Sequence, residues 1–126
     1  MYITEEFELR KMDPRVQKVL RLMKEDLRRQ LTSEQLSRAV NLSPVHLRYL
    51  FKADTGMSFA QYLKSLRMEE AGRLLESTFL SIKEVMYRIG MRDESHFARD
   101  FKKTHGLAPA QYRARHIESK RRKDLS

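Results

Sequence analysis

A chain of 126 residues fits one domain, or two small halves sharing a helix, and can bury roughly 60 to 70% of the surface its unfolded form exposes. Charged residues make up 34% of it, and 26 Lys and Arg against 17 Asp and Glu leave a net +9, which points to a polyanionic partner: nucleic acid ahead of an acidic membrane surface or an acidic protein. The lack of cysteine excludes disulfides, thiolate zinc sites and cysteine catalysis, no apolar run approaches a membrane span, and the acidic start MYITEEFELRKM is not that of a signal peptide, so a cytoplasmic protein without membrane contact is expected.

Residues 1–12 read as an N-terminal extension. Asp13 before Pro14 is an N-cap followed by proline at the first helical position, and Val16, Val19, Leu20, Met23 and Leu27 recur at helical spacing, predicting a first helix to about Gln30. Thr32 with Gln35 forms a capping box for a short helix through Val40, and Asn41 tolerates the left-handed turn that follows. Ser43 and Pro44 restart the chain as a helix with Leu47, Leu50 and Phe51 inward, ended by Gly56, so residues 32–56 read as helix, tight turn, helix.

Ser58 with Gln61 caps a longer helix over about 58–76, whose expected buried stripe is Phe59, Tyr62, Leu63, Leu66, Leu74 and Leu75. Ser81 with Glu84 caps another short helix with apolar Ile82, Val85, Met86 and Ile89, and Gly90 supplies a positive-φ turn. Asp93 caps a further helix with Phe97 and Phe101 buried, Gly106 stops it, and residues 81–106 repeat the first unit. Pro109 opens a last helix through Tyr112, and a basic, frayed tail is expected from there to Ser126. Nothing alternates with period two, so the fold class is all-α.

The two units also match residue by residue. Ser43, His46, Leu47, Phe51, Lys52, Gly56, Gln61 and Tyr62 face Asp93, His96, Phe97, Phe101, Lys102, Gly106, Gln111 and Tyr112 at an offset of 50, and Leu36, Val40, Asn41 and Leu42 face Val85, Ile89, Gly90 and Met91 at 49. A duplicated supersecondary unit accounts for this better than composition does. In the first unit the face opposite Leu47 and Phe51 is Val45, Arg48, Tyr49 and Lys52; in the second it is Ser95, Ala98, Arg99 and Lys102, with Glu94 beside them. A major groove admits one helix, and such side chains offer a bidentate guanidinium for guanine, apolar contact for a thymine methyl and a carboxylate for cytosine. The alternative is a pair of ordinary solvated helix faces, which duplication of the unit disfavours. Ser43, His46, Lys52, His96, Lys102 and Lys103 are the candidate phosphate contacts, and the charge of +6 on residues 81–126 makes that third lean hardest on phosphates.

GMRDESHFARDFKKTHGLAPAQYR resembles the second signature of the AraC/XylS-type bacterial transcription regulators, LSRAVNLSPVHLRYLFKADTG resembles their first, and RMEEAGRLLESTFLSIKEV is similar to their linker helix and second-unit entry. The resemblance covers Asp13 to about Arg113. It implies a seven-helix domain of two helix-turn-helix units joined by the linker helix, binding double-stranded promoter DNA asymmetrically and contacting RNA polymerase, with activation ahead of repression. By motif position it places base reading on Val45, Arg48 and Tyr49, and on Glu94, Ser95, Ala98 and Arg99. Ser37 and Met86 depart from the small alanine usual in the family, so Met86 is expected to widen its unit's packing or reach its core. Ala108 replaces the hydroxyl cap usual before the proline, weakening the last helix's start by about 1 kcal/mol.

The chain is expected to be either a stand-alone member or the DNA-binding piece of a longer regulator, monomeric and needing no cofactor. Its four histidines show no pair at ligand spacing, so no metal site is expected; His46 and His96 are read as bracing their units or touching phosphate. Ser95 beside His96 is no catalytic pair, because adjacent helical residues diverge, and an enzyme has neither nucleophile nor phosphate loop in its favour. The rival reading is a basic helical adaptor binding RNA or an acidic protein without sequence preference.

Overall fold

The structure, a computed structural model, describes residues 12–125; all of the N-terminal extension but Met12, and Ser126, lie outside the described residues. Seven helices and no strand occur among them: α1 (Pro14–Glu25), α2 (Ser33–Ala39), α3 (Pro44–Thr55), α4 (Phe59–Ser77), α5 (Ile82–Ile89), α6 (Glu94–His105) and α7 (Pro109–Leu125). The chain divides into two compact units, one ending at Lys64 and the other beginning at Ser65.

In the first unit Asp13 caps α1 by accepting the Arg15 N–H at 2.8 Å, and the Arg15 guanidinium bonded to the same carboxylate holds its pKa down at about 2. Helix α1 stops at Glu25, short of Gln30. Asp26 is extended, and its carboxylate accepts both the backbone N–H of Arg28 at 3.0 Å and the Arg28 side chain at 3.2 Å, a local turn that competes with the helix. Both halves of the Thr32–Gln35 capping box form on α2. Asn41 takes the left-handed conformation at φ 57°, and the next N–H, of Leu42, donates back to the Ser37 carbonyl at 3.0 Å. The core here is Val16, Val19, Leu20, Met23, Leu36, Val40, Leu47 and Phe51. Phe51 packs against Phe59 and edge-on against Tyr62, with ring centroids 4.5 and 5.6 Å away.

The second unit repeats these devices. Ser81 and Glu84 form a capping box on α5, Gly90 turns the chain at φ 83°, and the N–H of Met91 donates to the Met86 carbonyl at 2.9 Å, the counterpart of Leu42 and Ser37. Met86 is 4% exposed: the longer side chain is taken into a core with Met68, Ala71, Leu74, Leu75, Val85, Ile89, Phe97 and Phe101. Ser37 is buried too, its hydroxyl satisfied by the Glu34 carbonyl at 3.0 Å.

Helix α4 departs from its expected stripe. Leu74 and Leu75 are buried with Met68, Ala71 and Gly72, whereas Phe59, Tyr62, Leu63 and Leu66 are only half-buried. Its first turns pack in the first unit and the rest in the second, so no single face is apolar from end to end. Gly72 sits at a close approach: a Cβ there would stand 3.0 Å from Cε1 of His105, so the ring would have to give way by a few tenths of an ångström. That ring is held by Phe101, with centroids 4.3 Å apart, and by its Nε2–H donating to the Met68 carbonyl at 2.9 Å.

Helix α7 also overturns an expectation, since residues 113–125 continue the helix instead of fraying. No glycine or proline follows Pro109, and one side of α7 is tied to the C-terminal end of α4. The Tyr112 hydroxyl donates to Glu76 at 2.8 Å, Arg113 donates to the Leu75 and Thr78 carbonyls at 3.1 and 3.3 Å, and His116 reaches the Glu76 carboxylate at 2.8 Å. These contacts satisfy end carbonyls of α4 with a cation placed favourably for its dipole.

Burial, and then the bond to Glu76, pushes the Tyr112 phenol up from 10.0 to about 12. A raised folded value means that its stabilising contribution is complete below pH 10 and disappears as pH rises toward 12. The stability difference between the natural chain and Tyr112→Phe, from urea melts, is expected to stay constant to about pH 10 and to shrink between about 10 and 12. A difference unchanged across that interval would show that the phenol does not sense folding.

Candidate nucleic-acid interface

The same local rules build α3 and α6. The Ser43 hydroxyl accepts the His46 N–H at 3.2 Å, and the Asp93 carboxylate accepts the His96 N–H at 2.9 Å. At the other end Gly56 and Gly106 are left-handed at φ 76° and 84°, each donating its N–H to the carbonyl of Lys52 or Lys102 at 2.8 Å. Leu47 and Phe51, and Phe97 and Phe101, are at most 1% exposed, so each helix is anchored by one face.

The opposite faces lie in solvent. On α3, Val45 is 68% and Tyr49 74% exposed, beside exposed Arg48 and Lys52. Apolar surface that the fold leaves unused, interleaved with cations along i, i+3, i+4 and i+7, suits a partner that is both anionic and apolar in places. On α6, Glu94, Ser95, Arg99 and Lys102 are exposed, with Lys103 beside them, while Ala98 is half-buried. Among the described residues no ion pair or side-chain hydrogen bond engages Arg48, Lys52, Arg99, Lys102 or Lys103. Both faces thus present the residue types expected of them, with Ala98 the most recessed member.

The candidate phosphate contacts divide differently. The rings of His46 and His96 are exposed, and only their backbone N–H groups serve the helix caps. Bracing in the second unit falls instead to His105, whose ring lies between Phe101 and Tyr112, a role that its position near the end of α6 gave no reason to assign. The charge of +6 on residues 81–126 overstates what is free for a ligand: Arg113 and Lys120 reach carbonyls of α4, and Arg122 pairs with Glu118.

Two units with matched caps, matched turns and one solvent-facing second helix each define a helix-turn-helix domain, and the family model described as "Helix-turn-helix domain" matches residues 36–115. The chain belongs to the AraC-type helix-turn-helix family of transcription regulators. It is 39% identical over 85 residues to YpdC, an uncharacterized HTH-type transcriptional regulator of Escherichia coli K12, covering 68% of this chain and 30% of YpdC. It is 39% identical over 72 residues to the HTH-type transcriptional activator RhaR of Mannheimia succiniciproducens, covering 57% of this chain and 26% of RhaR. The chain thus spans under a third of the length of these relatives. Among solved structures, the DNA-binding domain of the global transcriptional factor AdpA, in complex with a target DNA, superposes with a TM-score of 0.78 at 29% identity, covering 85% of this chain and 96% of that one.

Proposed function

We propose that residues 13–113 bind double-stranded promoter DNA by laying α3 and α6 in two successive segments of the major groove, and that the chain acts as a transcription regulator by binding, without catalysis. Val45, Arg48 and Tyr49 read bases under the first unit, and Glu94, Ser95, Ala98 and Arg99 under the second. Ser43, His46, Lys52, His96, Lys102 and Lys103 hold phosphates. The observation that carries this reading is the duplication itself: two equivalent helices, anchored alike, expose faces of different chemistry. A protein binding only by charge has no need of either feature, which disfavours a non-specific adaptor for RNA or an acidic protein. Activation through RNA polymerase is the mode proposed, in keeping with the likeness to a relative named as an activator.

Because the two faces differ, the site is expected to be non-palindromic and to be covered by one monomer. Selection from random duplex DNA should return two unlike blocks about one helical turn apart, the block under the first unit the more stringent. Inserting about five base pairs turns one block to the far side of the duplex, and affinity should fall by about an order of magnitude or more toward the non-specific level. A selected motif of one block, or indifference to the insertion, would sink the two-segment reading.

A further inference from the structure

The unit that ends at Lys64 contains a cavity of about 500 Å³. Its walls are mainly apolar, formed by Met23 of α1, Leu31, Leu36 of α2, and Phe59 and Leu63 of α4. Three exposed cations, Arg29, Arg48 and Lys52, also line it, with Ala60 and the small hydroxyl residues Ser33 and Ser58, and no carboxylate belongs to the lining. The Arg29 guanidinium has Glu25 at 3.3 Å, an exposed pair between the last residue of α1 and the segment after it that competes little with a ligand. An apolar hollow of this size with a few charged groups on one side has the character of a small-molecule site.

We propose that this cavity binds an amphipathic organic anion, an aromatic or short alkyl body carrying one carboxylate or sulfonate, and that its occupation excludes DNA from the first unit. The body gains by leaving water against Leu31, Leu36, Phe59 and Leu63, and the anionic head pairs with the cations. A neutral analogue gains only the burial, and a cationic one is repelled. The second half of the proposal rests on the reading of α3 given above. Arg48 and Lys52 cannot serve an organic anion and a duplex at once, so the ligands weaken each other by a common factor. With the anion at ten times its dissociation constant, apparent DNA affinity falls about tenfold.

The test has one arm without DNA. 2-Naphthoate and its neutral counterpart 2-naphthamide are titrated into the full chain while methyl resonances are followed by NMR. Saturable shifts at Met23, Leu31, Leu36 and Leu63, several-fold tighter binding of the acid, weakened binding in Arg29→Gln and loss of the shifts in Ala60→Trp are the expected results. Ala60 lines the cavity from an exposed position on α4, and an unchanged circular-dichroism melt shows that the variant folds. Equal affinity for acid and amide, or shifts that survive Ala60→Trp, overturns the site. In the second arm, 2-naphthoate at ten times its dissociation constant should weaken binding to the selected duplex about tenfold, and unchanged DNA affinity overturns the exclusion. A failure of sequence-specific DNA binding itself appears in the titration without naphthoate and leaves the first arm standing.

Discussion

Phe101→Ala is expected to cost about 3 to 5 kcal/mol of folding stability, a large share of the roughly 5 to 15 kcal/mol that holds a small domain together. Phe101 is fully buried, with Phe97, His105 and Tyr112 around it at centroid distances of 5.7, 4.3 and 5.1 Å, the last edge-on at 81°. Truncation removes the ring's burial and leaves a void bounded by side chains that are themselves fixed. His105 is held by the Met68 carbonyl and Tyr112 by Glu76, so neither can collapse into the gap without losing a hydrogen bond. Phe101→Leu, which keeps most of the volume, should cost distinctly less. Urea denaturation compares the variants, and a loss below about 1 kcal/mol for Phe101→Ala would mean that the site relaxes freely.

Phe51 occupies the same place in the first unit, also edge-on to a tyrosine eleven residues later. That correspondence was legible in the sequence because caps, stops and inward aromatics are local chemistry. Ser43 and Asp93, the three capping boxes, Asn41 and the glycines at 56, 90 and 106 each act on backbone within a few residues, and each does in the structure what its type and spacing predict. The features that escaped depend on distant partners. Helix α7 runs on to Leu125 because Tyr112, Arg113 and His116 find the end of α4, some 35 residues away, which no local pattern records. The buried side of α4 departs from a single periodic stripe because the helix serves two cores. The end of α1 is the opposite case: the Asp26 turn is local, but the apolar rhythm running on through Leu27 conceals it.

The solvent-facing sides of α3 and α6 were legible in part. Anchoring by Leu47 and Phe51 decides which residues of α3 face outward, so the exposure of Val45, Arg48 and Tyr49 follows from helical geometry alone. The cavity beside them does not, because its lining comes from α1, α2, α3, α4 and the segment between α1 and α2. Basic residues were likewise easy to count and hard to assign: Arg48 and Arg113 look alike in a charge sum, yet one stands in solvent and the other caps a helix.

Arg48→Ala is the substitution that separates specific from non-specific binding. The side chain is exposed on the middle of α3 and anchors nothing in the fold, so the variant should melt like the natural chain. If its guanidinium pairs with the two acceptors of a guanine edge, its loss should cost roughly 1 to 3 kcal/mol on the selected site, about 5- to 150-fold in affinity. Discrimination should relax at one base pair of the first block and stay intact elsewhere. A phosphate contact behaves otherwise: Lys52→Gln should weaken binding to all sequences alike and reduce the salt slope by roughly 0.9. Competition against duplexes substituted one base pair at a time distinguishes the two patterns. Uniform weakening by Arg48→Ala, with the salt slope lowered as for Lys52, would place Arg48 on the DNA backbone and shift base reading in the first unit to Val45 and Tyr49.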